Sequence, residues 1–144
     1  MKIAISACLL GENVRFDGSN KKDNKLIELL KNHQIVSICP EVLSGFHVPR
    51  DMVEIRNNKV ITKDNKDLTD ILYKGSLKCF ELIKDCDLVI LKSKSPTCGY
   101  KKVYDGTFSN TLIDGNGIFT DICLKNNLKV YSEKEKEVLS EILL

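Results

Sequence analysis

At 144 residues, with 42% apolar and 29% charged side chains, the chain has the size and composition of a single globular domain that buries a core without covalent staples. Its 22 basic and 20 acidic residues leave a formal charge of +2, which argues against a general nucleic-acid-coating protein and against strong attraction to a membrane surface. The unusual ingredient is six cysteines, set against two histidines and no tryptophan.

Lys2 to Ser6 is a β-favouring run and is expected as a buried first strand. Ile5-Ser6-Ala7-Cys8 resembles a lipoprotein cleavage box, but a single lysine precedes it and Glu12 and Arg15 follow closely, too little for the apolar region of a signal peptide. Asn20 to Asn32 places Leu26, Ile27, Leu29 and Leu30 on one side of a helix, and Gln34 to Ile38 follows as a second strand. The opening therefore reads as a right-handed βαβ unit with parallel strands. Cys39-Pro40 ends it, since proline cannot continue a central strand.

Met52 to Arg56 and Lys59 to Lys63 flank Asn57-Asn58, a pair that tolerates the positive φ of tight turns, so a small hairpin is expected. Asp67 to Cys86 carries helical spacing, with Thr69 or Asp67 as cap and Gly75 as a weak point. Asp87 to Leu91 holds Leu-Val-Ile-Leu without alternation, the pattern of a strand covered on both faces. Lys92 to Gly117 reads as a long functional loop with a short strand near Val103 to Phe108. A helix over Ile118 to Asn126, a strand over Lys129 to Tyr131 and a helix over Glu133 to Leu143, capped by Ser132, complete the chain. The expected class is α/β: one three-layer domain over residues 1–144, with a mainly parallel sheet and a β-hairpin excursion.

In that topology Cys8, Cys39 and Cys98 each follow a strand, and loops at the carboxyl ends of parallel strands converge on one crevice. No apolar run approaches the ~18 residues of a spanning helix, so the chain is expected to be cytoplasmic, where clustered thiols are metal ligands or catalysts more often than bridges. Cys79, Cys86 and Cys123 lie on helices and read as packing residues. Glu41 reads equally as an acid/base beside Cys39 and as a solvated loop carboxylate; Ser95 reads equally as a site hydroxyl and as a turn former before Pro96. Arg15 and Asp17 stand in the Cys8 loop as candidate substrate-binding groups or as a surface pair. Lys92, Lys94, Lys101 and Lys102 surround Cys98, and solvated lysines are the default there. His33 suits the C-terminal end of the first helix, and nothing in the sequence supports a site role for His47.

Four blocks in order, Ser6-Ala7-Cys8-Leu9-Leu10-Gly11 with Val14-Arg15-Phe16-Asp17-Gly18, Cys39-Pro40-Glu41, Pro49-Arg50, and Lys92-Ser93-Lys94-Ser95-Pro96-Thr97-Cys98-Gly99, resemble the thiouracil desulfidase family across nearly the whole chain. The resemblance implies a Rossmann-like domain and a [4Fe-4S] cluster held by Cys8, Cys39 and Cys98, with the fourth iron open to the sulfur of a thiolated pyrimidine. It implies acid/base roles for Glu41 and Ser95, and uracil and hydrogen sulfide as products. Thiolated nucleosides or tRNA stay open as substrates. The competing class is a redox or metal sensor, in which the same cysteines hold a cluster or zinc without turnover; a zinc hydrolase is less suited, because three thiolates leave zinc a weak electrophile.

Overall fold

The computed structural model describes residues 1–144. Strands β1 (Lys2–Ser6), β2 (Gln34–Ile38), β5 (Leu88–Leu91) and β8 (Val130–Ser132) form a parallel sheet in the order β2-β1-β5-β8. β3 (Val53–Arg56) and β4 (Lys59–Thr62) form the expected antiparallel hairpin, with Asn57 and Asn58 both at positive φ. The expected α/β class with a mainly parallel sheet and a hairpin excursion is the observed one.

Helices cover both faces. α1 (Asn24–Leu29) and α5 (Lys136–Leu143) pack with Ile3, Ile5, Leu88 and Ile90 on one side. On the other, α3 (Thr69–Ile83) and α4 (Ile118–Lys125) pack with Ala4, Val89, Leu91 and Val130. Alternate residues of β1 and β5 thus feed two cores, which is why neither strand shows polar alternation. Phe119 of α4 is fully buried between helix and sheet, and its truncation to alanine would cost about 3–5 kcal/mol.

Several boundaries differ from expectation. α1 starts at Asn24 rather than Asn20, because Asp23 accepts a hydrogen bond from Leu26 N at 3.0 Å and sets the first turn there. α3 ends at Ile83, so Cys86 lies beyond it, and neither Asp67 nor Thr69 occupies the cap position, which is Leu68. Thr69 Oγ1 instead accepts from Val60 N at 2.9 Å, tying the helix start to the hairpin. The Lys92 to Gly117 segment holds a second hairpin, β6 (Lys102–Tyr104) with β7 (Leu112–Asp114), where one strand was expected. Its pattern is faint because Val103 is its one buried strand residue. α5 begins at Lys136; Ser132 belongs to β8 and does not cap it, and Glu133 is drawn inward, as described below.

Gly75 is a contact point rather than a weak point. A side chain there would meet Ser44, whose Cα lies 2.6 Å from the Cβ position, so glycine lets the short helix α2 (Pro40–Leu43) and the turn after it seat on α3. His33 serves a helix end other than its own: its Nε2 lies 2.8 Å from Leu143 O at the end of α5, and its Nδ1 3.2 Å from the terminal amine of Met1.

Candidate active site

The sheet register brings the strand ends level. Ser6 pairs with Ile38, and Leu91 with Ser132, so Cys8, Cys39, Lys92 and Glu133 emerge along one edge. This is the carboxyl edge, and β2 and β5 lie on opposite sides of β1, which opens a crevice there. A cavity of about 480 Å³ occupies it, and Cys8, Cys39 and Cys98 all line its wall, together with Glu41, Ser95 and Arg15.

Cys8 sits in the 3₁₀ turn Ala7–Leu10 directly after β1, and Cys39 is the residue before α2, whose first helical position is Pro40. Cys98 is held by a tight loop. Ser95 Oγ accepts from the Thr97 and Cys98 amides at 3.0 and 3.1 Å, and Gly99 N donates to Ser95 O at 2.8 Å. Phe119 N and Ile118 N anchor the loop to the start of α4 by donating to Thr97 O and Pro96 O. Gly99 and Gly117 are required for this closeness: a Cβ on Gly117 would collide with the Thr97 carbonyl group.

All six cysteines are free. Burial pushes the Cys8 thiol up to about 11, against the lowering charges of Arg15 and Lys92. Burial also raises Cys39 and, most strongly, Cys98, and the mutual proximity of the three opposes their joint ionisation. Such thiols stay protonated until something positive replaces the protons, as a metal centre does. No three His, Cys, Asp or Glu side chains are grouped as a single metal ion would require. Three thiols on the wall of one cavity are soft donors, the ligand type that iron–sulfur clusters take.

Glu41, on α2, is largely buried and oriented from two sides. Arg50 Nε donates to Oε1 at 3.0 Å, and Thr97 Oγ1 donates to Oε2 at 2.7 Å. Arg50 in turn donates to the Val14 and His47 carbonyls at 2.7 and 3.2 Å, so one guanidinium binds the Cys8 loop to the Cys39 helix. A second buried pair faces the same cavity: Lys92 Nζ lies 3.2 Å from Glu133 Oε2, while Ser93 N donates to Glu133 Oε1 at 2.8 Å.

Asp17 stands outside the cavity wall; it is exposed and accepts from Ser19 N at 3.0 Å. His47 likewise contributes only its carbonyl. Of the four lysines around Cys98, Lys92 and Lys94 line the cavity, whereas Lys102 pairs with Asp114 and Lys101 lies 4.9 Å from the Tyr100 ring centroid. Cys79 and Cys123 are fully buried in the core beneath α3 and α4. The sequence reading assigned no role to Thr97, Arg50 or Glu133. The available signals were that Thr97 and Arg50 lie inside the four blocks, and that Glu133 follows β8 as Cys39 follows β2.

Residues 3–135 match the 2-thiouracil desulfurase family. The chain belongs to that family. The uncharacterized protein YbbK of Bacillus subtilis (strain 168) is 33% identical over 153 aligned positions, covering 98% of this chain and 99% of the relative. A solved structure titled [4Fe-4S]-dependent thiouracil desulfidase TudS superposes with a TM-score of 0.89 at 32% identity, covering 99% of this chain and 97% of that one. The 2-thiouracil desulfurase fold is therefore present nearly end to end. No helix of this family member is long and apolar enough to cross a membrane.

Proposed function

We propose that this chain removes sulfur from a thiolated pyrimidine such as thiouracil, giving uracil and hydrogen sulfide. The observation that carries the reading is Glu41: an oriented carboxylate, anchored by Arg50 and Thr97, in the wall that also holds Cys8, Cys39 and Cys98. A metal-storage or sensing site needs the thiols but has no use for such a carboxylate. The superposed [4Fe-4S]-dependent thiouracil desulfidase supports the same reading.

Cys8, Cys39 and Cys98 are the residues that would hold a [4Fe-4S] cluster. When bound, such a cluster supplies an iron without a protein ligand, a Lewis acid toward the sulfur of the substrate. In the net reaction the oxygen of water bonds to the ring carbon, the carbon–sulfur bond breaks, and both water protons leave with the sulfur. Carbon and sulfur keep their oxidation states, so no electron donor is needed.

The chain's own groups move those protons. Glu41 takes a proton from the attacking water and returns it to the departing sulfur. Arg50 keeps Oε1 fixed, which leaves the remaining lone pairs of the carboxylate for this transfer. Ser95 contributes an O–H donor: its oxygen accepts the Thr97 and Cys98 amides, so its own proton is directed away from them, toward the ring or the leaving group.

The test is anaerobic purification and reconstitution, followed by iron, sulfide and zinc analysis and an assay of hydrogen sulfide release from 2-thiouracil and 4-thiouracil, with thiolated nucleosides in parallel. Iron and sulfide in nearly equal amounts, together with sulfide release and uracil-type product, are expected. Stoichiometric zinc rejects the cofactor, and a full cluster with no sulfide from any thiolated base leaves the sensor reading instead.

A further inference from the structure

The cysteines apart, the uncharged polar side chains of the cavity wall are Ser6, Ser93, Ser95, Thr97 and Tyr104. The first four are bonded within the chain. Ser6 Oγ accepts from Lys92 N at 2.9 Å, and Ser93 Oγ lies 3.2 Å from Glu133 Oε2. Ser95 Oγ accepts the Thr97 and Cys98 amides, and Thr97 Oγ1 donates to Glu41. Tyr104 differs. Its hydroxyl bonds to no protein group and is not among the buried orphaned polar atoms, which are Arg15 Nε, Ser76 Oγ and Thr120 Oγ1, so it is open to water.

The backbone that presents Tyr104 is fixed on both sides of the hairpin turn. Asp105 N donates to Thr111 O at 2.9 Å, while Gly106 N and Phe108 N donate to Glu54 Oε1 at 3.0 and 3.2 Å. Glu54 is a buried residue of β3, so a carboxylate of the first hairpin holds the turn of the second. Gly106 permits the approach, since a Cβ there would lie 2.4 Å from Arg56 Cβ. Met52 and Val53, at the start of the first hairpin, line the same cavity as Tyr104. The two hairpins thus supply a part of the wall that carries neither a thiol nor Glu41.

A thiouracil is flat and uncharged. With its sulfur at the reacting groups, the ring still carries one carbonyl oxygen that needs a donor. Pockets for such ligands combine apolar surface with a few polar groups that fix orientation. Lys21, Lys22, Lys94 and Lys134 also line the cavity, but all four are exposed, and an ammonium in water stays strongly hydrated. Phe16 and Met52 offer apolar surface alone. Tyr104 is half-buried, held by a rigid hairpin, and has a hydroxyl proton that nothing in the chain accepts.

We propose that the Tyr104 hydroxyl donates a hydrogen bond to the carbonyl oxygen that a thiouracil keeps, which makes Tyr104 a specificity-determining residue for the pyrimidine. The proposal rests on the desulfidase reading above and assigns recognition to the hairpins, apart from the sheet edge that bears the thiols and Glu41.

Tyr104→Phe keeps the ring and its packing and deletes only the hydroxyl. Loaded wild type and variant are compared in sulfide release from 2-thiouracil, with two competitive inhibitors: uracil, and pyrimidin-2-one, which lacks the second carbonyl. In the variant, KM for 2-thiouracil and the inhibition constant of uracil are expected to rise by about 3- to 10-fold, the scale of one hydrogen bond. Iron per chain and kcat are expected to match wild type, and pyrimidin-2-one to inhibit both proteins alike. An unchanged inhibition constant for uracil overturns the proposal, as does a loss for pyrimidin-2-one equal to that for uracil. A fall in kcat with KM and inhibition unchanged overturns it too, and moves Tyr104 from recognition to the chemical step. A loaded wild type that releases no sulfide overturns the proposed function and this proposal together, whereas an unchanged variant of an active wild type overturns this proposal alone.

Discussion

Thr97 Oγ1 donates to Glu41 Oε2 across 2.7 Å, joining two residues 56 positions apart in the chain. The bond couples the loop that presents Cys98 to the helix that follows Cys39. It makes the orientation of the carboxylate depend on the same loop that carries a thiol. Thr97→Val keeps the shape and deletes the donor. Turnover is expected to fall by about 10- to 100-fold through misorientation, with iron content unchanged, as measured by sulfide release and metal analysis on the same sample.

Glu41→Gln removes the base while retaining a group of nearly the same shape. Sulfide release is expected to slow by on the order of 100-fold or more, with the cluster retained. Full activity in this variant would take Glu41 out of the mechanism.

Replacement of the thiols separates ligands from packing residues. Cys8→Ser, Cys39→Ser and Cys98→Ser are each expected to lose the brown colour and the bound iron. Cys79→Ser is expected to keep both while losing about 1–3 kcal/mol of stability, because a hydroxyl replaces a thiol that is fully buried in the core. Iron analysis and urea denaturation read the two effects independently.

Gly75→Ala reverses the expectation from helix propensity. Propensity favours alanine by about 1 kcal/mol inside a helix, but the added methyl would press on Ser44, whose Cα is 2.6 Å from its position. Overpacking of this kind costs about 1–3 kcal/mol, so the midpoint of urea unfolding is expected to fall. Activity is expected to fall with it, since the displaced turn follows the helix that bears Glu41.

Cys123 links stability to alkaline pH. Burial alone pushes its thiol up from 9.0 to about 12. Between those values the unfolded chain releases a proton that the folded chain keeps, so the contribution is complete below pH 9 and declines as pH rises toward 12. The slope is about 1.4 kcal/mol per pH unit for one thiol. Urea unfolding of metal-free protein between pH 7 and pH 10.5 is expected to show a shallower alkaline decline in Cys123→Ala than in wild type.

The sequence by itself determined the strands and the thiols that follow them. β1, β2 and β5 announce themselves through short apolar runs, and the placement of Cys8, Cys39 and Cys98 at one sheet edge follows from strand order and the handedness of the crossovers, both local consequences of chain chirality. The first hairpin was legible because Asn57-Asn58 is a local turn signal, whereas the second was not, since β6 and β7 bury little and carry almost no alternation. Tertiary structure alone decided how Glu41 is held. Its anchors Arg50 and Thr97, like the Lys92–Glu133 pair, are contacts between distant segments, and no periodicity records which side chains will meet. The same holds for Gly75, where the nearest obstacle belongs to another helix turn, and for Glu133, which the sheet edge captures before α5 can begin. Propensity and pattern are properties of a segment; the acceptor that satisfies a buried donor, and the space left for a methyl group, are properties of the packed whole.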